Sequence, residues 1–302
     1  MKIGVSSYSW SRYMREGRLD IFGVIKATAE VGFEGIEFSG LNAPEGTADA
    51  TLRSSPLRST SLKAFAGKIK DACAEAGLPI MSYTIGADFL NAEGGWEAEV
   101  ERLKGEVQIA SVLGAPCMRH DATRGLGADR LHLTDFVEAL PTLQKGCRAV
   151  TEYAADMGVK TMVENHGHFV QDSERCRALM LAVGHPNFGA LVDIGNFICA
   201  DDDPVRATKL MAAYAFHVHA KDFHRKPATA PDPGQGWGRS RGGNRHRGSI
   251  IGHGNVDVLG CIEALKSAGY DGFLSIEFEG MEDNRLALEI GLENLKRYMA
   301  NA

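Results

Sequence analysis

Short apolar segments of strand length alternate eight times with amphipathic stretches of helix length, and this alternation restricts the fold more than any other feature of the chain. The strand candidates are Ile3–Tyr8, Gly35–Phe38, Pro79–Tyr83, Cys117–Arg119, Lys160–Glu164, Gly189–Asp193, Ala215–His219 and Phe273–Phe278. Between and after them lie the helix candidates Leu19–Val31, Leu62–Ala76, Trp96–Leu113, Leu131–Met157, Asp172–Val183, Pro204–Ala213, Val256–Ala268 and Asn284–Met299. Glycines close several helices, in AEVGF, AEAGL, SVLGA, ADMGV and KSAGY, where a residue without a Cβ takes the left-handed conformation at little cost. Strands so short and apolar suit a parallel sheet covered by helices, whereas a sandwich needs hairpins and antiparallel alternation. The expected fold is α/β, a (β/α)₈ TIM barrel forming one domain over residues 1–302.

A chain of 302 residues, 44% hydrophobic and 24% charged, has ample material for such a core. Its formal net charge of -6 argues against a generally basic nucleic-acid surface, so no nucleic-acid partner is expected. The opening MKIGVSSYSW lacks the regions of a secretory signal, and no segment reaches the roughly 20 apolar residues that span a bilayer. The six cysteines, Cys73, Cys117, Cys147, Cys176, Cys199 and Cys261, form no close CxxC pair and are expected as reduced thiols. A cytoplasmic location without membrane partners is the resulting expectation. Broad helix-covered faces also leave room for homo-oligomers.

Two stretches break the rhythm. Residues 39–60 contain Pro44, Gly46 and Pro56, and residues 221–255 carry prolines and glycine clusters without clear periodicity. Both follow strands, so both are expected to rise as loops over the carboxyl face, where barrel sites sit. The second holds Arg225, Lys226, Arg239, Arg241, Arg245 and Arg247 within FHRKPATAPDPGQGWGRSRGGNRHRG, where the one acid is Asp232. It reads either as a lid that binds an anionic substrate through paired guanidinium donors or as a solvated loop.

Polar residues interrupt the later strands at their ends. TMVEN carries Glu164, GALVDIGN carries Asp193, AFHVHAKD carries His217 and His219, and GFLSIEFEG carries Glu277 and Glu279. On adjacent barrel strands these ends share one rim, where clustered carboxylates need a cation to balance them. Glu164, Asp193, His219 and Glu277 are the candidate ligands of a divalent metal, with Glu279 the alternative to Glu277. Mixed oxygen and nitrogen ligation suits manganese, magnesium, cobalt or zinc, and manganese is the preferred expectation. Each residue alone also has a plain structural role, as a turn carboxylate or a hydrogen-bonded core histidine. No glycine motif places a dinucleotide or a phosphate loop.

The ordered fragments VEN, LVDIGN, HVHAKD, IGHGNVD and LSIE resemble the xylose-isomerase-like TIM barrel superfamily, in particular its sugar isomerase and epimerase branch. The resemblance covers almost the whole chain. It implies Glu164, Asp193, His219 and Glu277 as metal ligands, with Glu164 and Glu277 also serving as acid and base, and Arg225 as a substrate-binding arginine. The chain departs from ketose 3-epimerases at Asn196, where they have a substrate-contacting histidine, and at Val170, where they have a further glutamate.

The activity implied is isomerisation or epimerisation of a sugar, keto-sugar or polyol, by proton abstraction next to a carbonyl through an enediolate. Other candidate contacts to a carbohydrate substrate are His120, His166 and Asn196, with Lys221 reaching a substrate oxygen and Trp10 walling a sugar ring. The alternatives are a keto-sugar or keto-inositol dehydratase, a glycoside lyase, an abasic-site endonuclease and a sugar-binding barrel without turnover. Against the endonuclease stand Ser82 or Tyr83, Asn196 and Gly248, where a trinuclear zinc site requires histidines.

Overall fold

The computed structural model describes residues 1–41, 56–127 and 130–302. Its strands are β1 (Lys2–Ser6), β2 (Ile36–Ser39), β3 (Ile80–Ile85), β4 (Cys117–His120), β5 (Lys160–Glu164), β6 (Phe188–Asp193), β7 (Ala215–Ala220), β8 (Asp222–Lys226), β9 (Gly238–Arg239), β10 (Arg245–Ser249) and β11 (Phe273–Ile276). Strands β1 to β7 and β11 close into a barrel in the order β1-β11-β7-β6-β5-β4-β3-β2, and every neighbouring pair is parallel. The expected eight-stranded barrel is the observed fold.

The helices are α1 (Ser11–Arg15), α2 (Ile21–Val31), α3 (Pro56–Glu75), α4 (Gly95–Leu113), α5 (Leu133–Asp156), α6 (Ser173–Val183), α7 (Pro204–Met211), α8 (Val258–Ser267) and α9 (Asn284–Asn301). Aspartates start five of them. Asp20, Asp172, Asp203, Asp257 and Asp283 each accept a hydrogen bond from the backbone N–H three residues on, a cap worth about 1 kcal/mol. At the other ends Gly32, Gly77, Gly114, Gly158 and Gly269 all have positive φ, the conformation expected of the five helix-closing glycines. The inner helix faces bury Leu103, Leu143, Val150, Leu179, Leu288 and Leu295 against the barrel, each side chain gaining about 1.5–3 kcal/mol by leaving water.

Inside the barrel the alternation of strand side chains stacks two layers. Cys117, Met162 and Leu191 form a small separate apolar cluster. Two residues further along the same strands stand Arg119, Glu164 and Asp193, so a dry plug floors a polar layer at the carboxyl end. All six cysteines are buried free thiols, as expected.

Two expectations about the long connections need correction or restriction. The stretch 221–255 is no structureless loop: β8, β10 and β9 form an antiparallel sheet beside the barrel. Its strands, DFHRK and RHRGS, are polar on both faces and therefore show no hydrophobic alternation. Asp222 holds the excursion at its root, its carboxylate accepting from the backbone N–H groups of Phe223, Gly252, Gly254 and Val256. Of the other stretch, 39–60, residues 42–55 lie outside the described residues, Ser39 ends β2 and residues 56–60 open α3. Among the described residues, no helix is long and apolar enough to cross a membrane.

Candidate metal centre at the carboxyl end of the barrel

Strand register brings the four expected ligands together. Asp193 on β6 pairs directly with His219 on β7, and Ser275 on β11 pairs with His219 from the other side, which leaves Glu277 two residues further along at the strand's end. Glu164 ends β5 and pairs with Leu191. Each of the four offers a ligand atom within 4.8 Å of the others. The Nδ1 atom of His219 lies 3.5 Å from Glu164 Oε1, 3.8 Å from Asp193 Oδ2 and 3.5 Å from Glu277 Oε1. Such separations suit neighbouring ligands that each stand about 2.0–2.2 Å from a shared cation.

The chemistry of the donor set fits a divalent cation. His219 Nδ1 and Asp193 Oδ2 are buried without a hydrogen-bond partner, a costly arrangement unless something polar binds there. The imidazole is oriented from behind: its Nε2–H donates to Glu37 Oε1 at 2.7 Å, and the other oxygen of Glu37 accepts from His217 Nε2 at 2.6 Å. Because a carboxylate can only accept, the Nδ1 lone pair of His219 is turned toward the site. Burial opposes a proton on His219, yet Glu37 and Glu277 outweigh it and raise its proton affinity well above the ordinary range. The same negative field favours a metal ion. Burial also works against the Glu37 charge, but His219 and His217 hold its carboxyl below the usual carboxylate range.

Two cations flank the cluster. Arg119 reaches Glu164 Oε2 at 2.6 Å and Asp121 Oδ1 at 2.7 Å. Lys221 Nζ lies 2.6 Å from Glu277 Oε2, 2.9 Å from Glu279 Oε1, 3.5 Å from Asp193 Oδ2 and 3.3 Å from Asn196 Oδ1. Burial disfavours the Lys221 charge, but the surrounding carboxylates, Glu277 first, keep it charged far above the ordinary lysine range. Glu164 is buried too, and Arg119 and His219 hold it well below the usual carboxylate range. For Glu277, burial prevails over the pull of Lys221 and His219 and raises the carboxyl. Gly195 makes the turn after β6 feasible, since a Cβ there would lie 2.6 Å from the Lys221 carbonyl oxygen.

Above the cluster opens a cavity of about 420 Å³. Tyr8, Arg119, Glu164, His166, Asn196, Lys221, Phe223, His246, Glu277 and Glu279 are among its walls, so the antiparallel excursion supplies part of the site through Phe223 and His246. The structure brings His166, Asn196 and Lys221 to this cavity, with Asn196 Nδ2 donating to Glu164 Oε1 at 3.0 Å and His166 Nδ1 3.2 Å from Asp121 Oδ1. Of the two glutamates at the end of β11, Glu277 faces His219 and Glu279 faces Lys221.

Three expected contacts sit elsewhere. Trp10 is fully buried toward the helices, its Nε1–H donating to Thr28 Oγ1 at 3.2 Å. His120 is fully buried with its ring edge-on to Phe89 and its Nδ1 2.9 Å from the Asp121 carbonyl oxygen. Strand alternation explains it, because the neighbours Arg119 and Asp121 take the inward positions. Arg225 lies on β8 two residues beyond Phe223, is largely exposed and has Asp201 Oδ1 at 3.6 Å. Three of the other excursion arginines also point at acids or rings outside the cavity: Arg241 at Asp172, Arg245 at Asp232, and Arg247 at Glu282 and Trp237. Glu37 and Arg119 were not singled out in the sequence. An acid in the middle of IEF and an arginine two residues beyond Cys117, both at inward parity, are the signals that mark them.

Burial pushes His120 down to about 4, which gives a pH-dependent stability. The unfolded chain takes up a proton on this imidazole near pH 6.5 and the folded one does not, so stability falls as pH drops from about 6.5 toward 4 and the loss is complete below the folded value. The expected contribution by pH 5 is about 2 kcal/mol. Urea unfolding at pH 7 and pH 5 checks it: a His120→Phe variant should lose less stability between the two than wild type, and equal losses would contradict the assignment.

Residues 25–298 match the family described as xylose isomerase-like TIM barrel. The chain belongs to that family. It is 24% identical over 152 residues to inosose dehydratase of Lacticaseibacillus casei, a match that spans 50% of this chain and about half the length of that relative. L-ribulose 3-epimerase superposes with a TM-score of 0.69 at 19% identity, covering 99% of this chain and 95% of the other. A xylose isomerase-like TIM barrel protein from Mycobacterium smegmatis, in complex with magnesium, gives a TM-score of 0.69 at 16% identity over 99% and 97% of the two chains. At these identities the structural likeness speaks for the fold. The relatives include both epimerases and dehydratases of sugars and related compounds.

Proposed function

We propose that this member of the family is a divalent-metal-dependent enzyme that moves a proton at the carbon next to a carbonyl, acting on a sugar, keto-sugar or polyol as an isomerase or epimerase. The observation that carries it is the convergence of Glu164, Asp193, His219 and Glu277 on one point beneath a polar cavity, with His219 Nδ1 and Asp193 Oδ2 buried without a hydrogen-bond partner. Manganese is the preferred ion, with magnesium, cobalt or zinc able to use the same oxygen and nitrogen donors.

When bound, the cation supplies positive charge against the oxygen of the carbonyl as the neighbouring C–H bond breaks. The rest of the chemistry belongs to the chain. Glu277 and Glu164 stand at the cavity floor as the proton-accepting and proton-returning carboxylates. Return to the opposite face of the same carbon inverts it; return to the adjacent carbon isomerises the sugar. Asn196 holds Glu164 in place, and the hydroxyl groups of the substrate meet His166, Gln171 and Glu279 on the walls.

A second reading is dehydration. It is favoured by His166, a half-exposed imidazole on the cavity wall whose Nδ1 is held by Asp121, so that Nε2 can protonate a departing hydroxyl after the same C–H bond breaks. The likeness to inosose dehydratase points the same way.

Incubation of the Mn²⁺-loaded protein in D₂O with a panel of ketoses, keto-glycosides and keto-inositols, followed by NMR, separates these outcomes. Deuterium next to the carbonyl with unchanged composition supports isomerisation or epimerisation, and loss of water supports dehydration. No exchange on any member of the panel would count against both.

A further inference from the structure

All three carboxylates at the metal centre share one arrangement: one oxygen is taken by fixed donors and the other is turned toward His219 Nδ1. Asp193 Oδ1 accepts from the backbone N–H groups of Gly195 and Asn196 at 2.8 and 2.9 Å, which leaves Oδ2 for the site. Glu164 commits Oε2 to Arg119 at 2.6 Å and turns Oε1, which also accepts from Asn196 Nδ2 at 3.0 Å, to His219. Glu277 commits Oε2 to Lys221 at 2.6 Å and turns Oε1 to His219. In Asp193 a turn does the work; in the two glutamates a cation does.

We infer that Arg119 and Lys221 are positioning residues that clamp the second oxygens of Glu164 and Glu277, so that each glutamate can offer only one oxygen to the cation and coordination positions stay open for substrate. The inference rests on the metal-centre reading above. Both cations are buried and anchored on a further acid, Arg119 on Asp121 at 2.7 Å and Lys221 on Glu279 at 2.9 Å, so neither side chain is free to swing away. Their charge is unfavourable to a metal ion a few ångströms off, since like charges repel strongly where water is scarce. Two buried cations beside a cation-binding site weaken binding, which makes simple strengthening of the site a poor account of them. Holding carboxylate oxygens away from the ion gives them a purpose that this cost would serve.

Without a clamp the freed oxygen can join the ion and the repelling charge is gone, so metal affinity should rise while water on the ion decreases. The test uses the full-length protein as wild type, Arg119→Met and Lys221→Met, with Mn²⁺ as the probe. Affinity is read from the EPR signal of free Mn²⁺, exchangeable water from the proton relaxivity of the bound ion, and folding from circular dichroism. Each Met variant should bind Mn²⁺ about tenfold more tightly or better with lower relaxivity, while Lys221→Arg stays near wild type in both. A purely structural role would weaken binding.

Weaker binding by the Met variants, or tighter binding at unchanged relaxivity, overturns the clamp and leaves the metal centre standing. Absence of Mn²⁺ binding by wild type overturns the metal centre and the clamps with it. A Mn²⁺-loaded crystal structure of wild type serves if the Met variants do not fold: Oε2 of Glu164 on Arg119 and of Glu277 on Lys221 supports the clamp, and either glutamate binding the ion through both oxygens overturns it.

Discussion

Replacing Glu277 by Gln should lower turnover by about 10²–10⁴-fold, the usual contribution of a positioned acid or base, while the barrel still folds. Gln matches Glu in shape but cannot accept the proton, and its amide is a poorer partner for both Lys221 and a divalent cation. The side chain stands beyond the last residue of β11 rather than in the packed wall, so the hydrophobic layers are untouched. Initial rates on a substrate identified in the D₂O screen, taken with the melting temperature, check this. Turnover within about threefold of wild type would remove Glu277 from the chemistry, because a group worth so little supplies well under 1 kcal/mol of barrier lowering.

Chelation should abolish turnover and destabilise the fold together, and readdition of Mn²⁺ should restore both. The reason is electrostatic: Glu164 and Asp193 are almost completely buried, Glu277 is largely so, and Glu37 lies directly behind His219. Arg119 and Lys221 balance only part of that charge. At a cation concentration 1,000 times its Kd, binding to the native state alone adds about 4 kcal/mol, which for a chain of this size corresponds to a rise in Tm on the order of 5–10 °C. Differential scanning fluorimetry with and without EDTA reads the shift. An unchanged Tm alongside full activity in EDTA would exclude a metal role.

Much of this site could be found from the chain alone because its residues obey simple periodicities. Strand ends carrying Glu164, Asp193, His219 and Glu277 follow from the alternation of strands and helices, and a barrel necessarily puts those ends on one rim. What periodicity did not decide was which neighbour at a strand end faces inward. His120 and Trp10 were expected at the substrate, yet Arg119 and Tyr8 hold the inward positions. A strand boundary misplaced by one residue exchanges the two faces, and β1 in fact gives way to a 3₁₀ turn at Ser7.

Glu37 escaped notice for another reason. It lies on β2, far in sequence from β7, and its importance comes from a contact with His217 and His219 across the barrel interior. The excursion after β7 was illegible because its strands face polar surroundings and are organised by one buried carboxylate, Asp222, rather than by an apolar face. Arg225 followed the resemblance to ketose 3-epimerases, but here its exposed guanidinium has Asp201 Oδ1 at 3.6 Å.

The most direct measurement is an anomalous difference map from a crystal soaked in Mn²⁺. A peak bonded to Glu164, Asp193, Nδ1 of His219 and Glu277, with His219 Nε2 still on Glu37, is the predicted result. A map with no ion among those four side chains, or with Mn²⁺ bound only at other groups of the protein, would contradict it.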